Sequence, residues 1–62
     1  MNLDKLKKAQ YESKISLNKI SKATGIGYAT IHDIFNGKTV NPKLDTIVKI
    51  TKTLNVDLQK VL

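Results

Sequence analysis

Apolar residues along this chain recur at helical spacing, and no stretch shows strand-like alternation. Leu3, Leu6 and Ala9 lie at i, i+3 with lysines between them, which predicts a helix from Leu3 to about Ser13. A second helix is read over about Leu17 to Thr24 and a third over about Tyr28 to Phe35. Leu44, Ile47, Ile50 and Leu54 form the stripe of a fourth, with Asn55 placed to end it in the left-handed conformation. Asp57 is suited to N-cap a short fifth helix, with Val56 and Val61 as its hydrophobic staple. Between the third and fourth helices, Pro42 biases Asn41 away from helix and the segment 38–43 reads as a loop. The expected fold class is all-α: a compact five-helix domain occupying residues 1–62. Its expected core is Leu3, Leu6, Ile15, Ile20, Ala23, Ile26, Ile31, Ile34, Phe35, Leu44, Ile47, Ile50, Leu54, Val56 and Val61.

The segment Ser16 to Gly37, SLNKISKATGIGYATIHDIFNG, carries the most information. Ile20 and Ala23 share a helical face, and Gly25 can end that helix because a glycine takes positive φ without a Cβ clash. Ile26 then tucks under the turn, and Ile31 and Ile34 repeat the i, i+3 spacing beyond it. Ser16 is a good N-cap for the first helix of the pair, and Asn36-Gly37 a good stop for the second. This is a helix, a sharp turn and a helix. The face left over on the second helix carries Gly27, Tyr28, Ala29, His32 and Asp33. An unpartnered surface would be expected to hold Lys and Glu there.

Charge narrows the choice of partner. The chain has 62 residues, eleven Lys, no Arg and five acidic residues, for a net charge of +6 and a pI near 9.8. That balance favours a polyanion. Arginine paired with guanine is the commonest specific major-groove contact, and this chain has no arginine to make it, so an A·T-rich target is expected. Without cysteine there is neither a disulfide scaffold nor a thiolate metal site. No apolar run approaches the length of a membrane span, and Met1 to Lys5 has no apolar signal-peptide core, so a cytoplasmic protein is expected. One His and no paired carboxylates provide no acid–base constellation, so neither an enzyme nor a cofactor is expected.

With these residues in view, the chain resembles the lambda-repressor-like helix-turn-helix domains of phage repressors, Cro proteins and their bacterial relatives. The resemblance is carried by Ser16, Ile20, Ala23, Gly25-Ile26, Thr30-Ile31, Ile34, Asn36-Gly37-Lys38, Pro42 and Leu54-Asn55-Val56, and covers nearly the whole chain. Some positions depart from the family. Ser21 replaces the usual Ala. Leu17 replaces a Gln that contacts the DNA backbone in many members. Phe35 replaces a Glu that in some members pairs with an Arg at the position of Gln10. Apolar packing in place of a buried ion pair is often neutral or stabilising, so Phe35 reads as core.

The resemblance implies a transcriptional regulator of the phage Cro/C1 type, phage-encoded or acting at a bacterial nucleoid. It would be a repressor that reads double-stranded DNA with its third helix. The resemblance puts Tyr28 and Ala29 at base edges, and Gly27, His32 and Asp33 share their face. The expected phosphate contacts are Ser16 and Leu17 at the start of the second helix, Asn36, Lys38, Thr39 and Lys43 around the following loop, and Lys14 and Lys19 beside them. Lys5, Lys7, Lys8, Lys49, Lys52 and Lys60 read as solvated. One domain reads about four to six base pairs, so a homodimer on a pseudo-palindromic operator is expected, assembled on the DNA through the loop near Val40 and residues Asn55 to Leu58. The competing reading is a protein-interaction module, favoured if Leu17 and Phe35 are exposed.

Overall fold

The computed structural model describes residues 1–39 and 41–62. Four α-helices and one 3₁₀ turn follow in order: α1 (Leu3–Ser13), α2 (Leu17–Thr24), α3 (Tyr28–Phe35), α4 (Leu44–Leu54) and the turn Leu58–Lys60. α2 packs on both α3 and α4, and α1 closes the other side of the core against the same two helices. The two ends of the chain meet where the Asn2 N–H donates to the Val61 carbonyl at 2.7 Å. Among the described residues no helix is long and apolar enough to cross a membrane.

Each helix is bounded by local chemistry. Asn2, Ser16 and Asp57 accept backbone N–H bonds from Lys5, Lys19 and Gln59 and so cap α1, α2 and the 3₁₀ turn. Gly25 ends α2 at φ 75°, its N–H bonded to the Ser21 carbonyl. α3 ends in a Schellman motif: Lys38 N–H reaches the Asp33 carbonyl and Gly37, at φ 78°, reaches that of Ile34. α4 ends the same way through Val56 to Thr51 and Asn55 to Lys52, with Asn55 at φ 58° as its sequence position suggested.

The core is Leu6, Ala9, Ile20, Ile31, Ile34, Phe35, Ile47, Ile50, Leu54 and Val61, with Thr51 buried among them. The Thr51 hydroxyl is satisfied by donating to the Val48 carbonyl at 3.0 Å, which lets a polar side chain sit in an apolar stripe. Leu3, Ile15, Ile26 and Val56, expected inside, are only half-buried.

Three expectations are corrected. Among the described residues there are four α-helices, not five. The segment after Asp57 is a three-residue 3₁₀ turn held by Lys60 to Asp57 and Val61 to Leu58 bonds, too short for the i to i−4 pattern. Ala23 is exposed. The buried side of α2 is the stripe Leu17, Ile20, Ser21 and Thr24, and at 100° per residue Ala23 lies roughly 110° from its centre. Leu44 is 63% exposed. As the first residue of α4 its side chain points back toward the N-terminus, off the end of the packed stretch.

Candidate nucleic-acid interface

The turn between α2 and α3 is held by side chains as well as by Gly25. The Ser21 hydroxyl donates to the Ile26 carbonyl at 2.6 Å. The Thr24 hydroxyl donates to the Ile20 carbonyl at 2.7 Å and accepts the Ile26 N–H at 3.2 Å. Ser21 is therefore a brace across the turn as well as a departure from the family's Ala. These bonds, with Ile20 and Ile31 fully buried, fix the angle at which α3 leaves the turn.

α3 divides sharply. Ile31, Ile34 and Phe35 face the core, whereas Tyr28, Ala29 and Thr30 form an entirely exposed first turn. His32 and Asp33 are half-buried one turn on. Tyr28, His32 and Asn36 make a row at i, i+4 spacing. The Tyr28 and His32 rings lie 5.9 Å apart between centroids, and the Asn36 side-chain nitrogen lies 3.0 Å from a ring nitrogen of His32. The row gives Tyr28, itself 48% exposed, a neighbour that restricts its rotamers. Thr30 and Asn18 are exposed polar residues on the first turns of α3 and α2 that the sequence reading passed over. Their signal was a hydrogen-bonding side chain next to a helix start.

The positions expected to touch phosphates gather around the ends of these helices. Ser16 caps α2 through its hydroxyl to Lys19 N–H, and its carbonyl takes the Ile20 N–H. The amides of Leu17 and Asn18, which open the helix, have no carbonyl within it to bond. The Leu17 side chain turns inward and packs against the core. Lys14 is exposed in the left-handed conformation between α1 and α2, and Lys19 is exposed on α2. Asn36 and Lys38 are exposed, Thr39 is half-buried, and Lys43 is exposed as the residue before α4. The backbone N–H groups of both Lys38 and Thr39 bond the Asp33 carbonyl, which folds this segment against the end of α3. Four lysines against the one carboxylate of Asp33 leave this set at 4 − 1 = +3. Val40, expected at a subunit contact, lies outside the described residues.

Gly27 N-caps α3 without a side-chain bond, at φ −56° with nothing within 4 Å of where a Cβ would stand. Nothing in the fold therefore requires glycine there. Gly27→Ser is expected to supply the missing cap and stabilise the domain by a few tenths of a kcal/mol, seen as a rise of roughly 1–3 °C in the unfolding midpoint. Tighter folding together with weaker DNA binding would show that the bare backbone serves close approach to DNA. An unchanged midpoint would sink the capping argument.

Phe35 is 4% exposed and Leu17 half-buried, so the apolar patch that would mark a protein-interaction module in their place is not there. The helix-turn-helix family model HTH_3 matches residues 6–61, nearly the full chain. No curated protein and no solved structure gives a significant match. The chain belongs to the lambda-repressor-like, XRE-type helix-turn-helix family of DNA-binding transcription regulators.

Proposed function

We propose that this chain is a sequence-specific repressor of the phage Cro/C1 type, reading an operator half-site in the major groove with the first turn of α3. The observation that carries the reading is the exposed, uncharged turn Tyr28-Ala29-Thr30 in a +6 chain, backed by fully buried Ile31. Tyr28 offers a hydroxyl and a ring edge. Ala29 offers a methyl that suits the thymine methyl group. Asp33 would accept from a cytosine amine or exclude misplaced phosphates. Ser16, Leu17, Lys14, Lys19, Asn36, Lys38, Thr39 and Lys43 hold the register on the backbone, with the Leu17 contribution coming from its amide.

The domain is 24 Å across at its longest. At 3.4 Å per base pair it spans about seven pairs, less than one turn of DNA. Useful specificity then asks for two copies on half-sites about 34 Å apart. We place the contact between copies around Val40 and Asn55 to Leu58. Exposed Leu44, the first residue of α4, is a further apolar group available for such a contact.

Selection from random duplex DNA tests the reading, and one enriched two-fold-symmetric, A·T-rich motif is the expected winner. On that motif, Tyr28→Ala should weaken binding by about 1–3 kcal/mol while leaving random-duplex binding almost unchanged. Lys38→Ala should weaken both equally. Tyr28→Ala and Lys38→Ala behaving alike on both DNAs would overturn the division of labour. Salt-sensitive binding with no enriched motif would overturn sequence reading itself.

A further inference from the structure

Lysines read as solvated are not scattered evenly. α1 and the C-terminal end of α4 leave between them an open groove of about 480 Å³. Ala9, Leu54 and Val56 form its floor, and Lys5, Lys8 and Lys60 stand around it with one carboxylate, Glu12. Among the described residues the three lysines have no ion-pair partner, and the one salt bridge joins Lys49 to Asp45. α3 contributes nothing to this groove, and none of the residues assigned to the DNA interface lines it.

We propose that this groove docks an acidic amphipathic segment of another protein, its apolar side chains on the floor and its carboxylates against Lys5, Lys8 and Lys60. The groove's charge, 3 − 1 = +2, selects an acidic occupant. A second copy of this chain meets Val56 at the edge of the proposed contact around Asn55 to Leu58, but at +6 it offers Lys5, Lys8 and Lys60 little countercharge. Double-stranded DNA matches the charge but presents phosphates and sugars along its outside rather than a continuous apolar face for half-buried Val56. A small ligand needs most of its surface enclosed, and this groove is open along one side. An amphipathic helix needs only one face covered. Because the floor is built from α1, the end of α4 and the residue that follows Asn55, the occupant leaves Tyr28 and Ala29 free. The occupant therefore does not cover α3, although at Val56 it shares the edge of the proposed contact between copies. The proposal does not depend on which operator α3 reads, or on whether it reads one.

A displayed library of random peptides selected against the folded protein provides the probe, followed by amide chemical-shift mapping with the winning peptide made synthetically. The expected winners carry apolar residues at i and i+3 or i+4 among Asp and Glu. Their shifts should centre on Lys5, Ala9, Glu12, Leu54 and Val56. Lys5→Glu/Lys8→Glu should weaken binding at least about tenfold, a loss of about 1.4 kcal/mol. Lys7→Glu/Lys52→Glu makes the same charge change outside the groove and should weaken it far less. Glu12→Gln should tighten it. These are exposed positions, and circular dichroism checks that each variant is folded. The proposal is overturned if no acidic amphipathic peptide is enriched, if the shifts fall on Tyr28 and Lys38, or if both charge-reversed pairs weaken binding alike.

Discussion

Ile31→Ala is expected to lower the midpoint of thermal unfolding by roughly 10–40 °C, the largest stability effect of any single substitution considered for this chain. Ile31 is wholly buried on the inner face of α3, directly behind the turn that carries Tyr28 and Ala29. Truncating a buried Ile to Ala removes its transfer free energy and leaves a cavity, at a cost of about 2–5 kcal/mol. A chain of this length is held by only about 3–9 kcal/mol in total. One substitution therefore consumes a large share of the stability, and the variant should be substantially unfolded near 37 °C. Leu44→Ala supplies the contrast. Spacing alone would make it a core truncation of similar size, but its 63% exposure predicts a change within about 0.5 kcal/mol. Melting both variants by circular dichroism decides the matter. Equal losses would return Leu44 to the core, and an unaffected Ile31→Ala would mean that α3 is not seated on α2 as described.

The Leu44 contrast marks where the sequence was legible and where it was not. Helix ends could be read because they depend on short-range chemistry. Ser16, Gly25, Asn55 and Asp57 each cap or terminate an element through bonds within five residues in sequence. Burial along a stripe was less readable. Ile20 could be assigned from spacing, but the inner side of α2 is completed by Ser21 and Thr24, whose hydroxyls bond the backbone and so turn inward in place of Ala23. Thr51, absent from the expected core, is buried for the same reason, since its polarity is cancelled by a local bond. The last helix shrank to a turn because capping chemistry at Asp57 specifies where a helix begins but not whether enough residues follow to propagate it. At the candidate interface, the exposed face of α3 was visible in its composition. Thr30 figures in the sequence pattern only as the neighbour of Ile31, and its exposure follows from the way buried Ile31 seats α3. The link from Tyr28 through His32 to Asn36 depends on rotamers that spacing permits but does not impose.

DNA affinity should fall by about four orders of magnitude between 50 and 200 mM salt if two copies bind together. Lys14, Lys19, Lys38 and Lys43, the proposed phosphate contacts, are all exposed. Four such contacts per copy make eight per operator, and at about 0.9 counterions released per phosphate the logarithm of affinity should drop with a slope near −7. A lone domain on a half-site would give about half that slope, so the titration also counts copies. Lys38→Ala on both copies should flatten the slope by about two, and Lys49→Ala, which alters an exposed ion pair away from the interface, should leave it unchanged. Folding should respond in the opposite sense. With a net charge of +6 and one exposed salt bridge among the described residues, the chain repels itself, and salt at 0.1 M screens charges more than about 10 Å apart. The unfolding midpoint should therefore rise over the range in which binding weakens. Opposite signs in the two titrations exclude unfolding as the cause of lost affinity and leave phosphate contact as its source. A slope near zero would remove those four lysines from the interface.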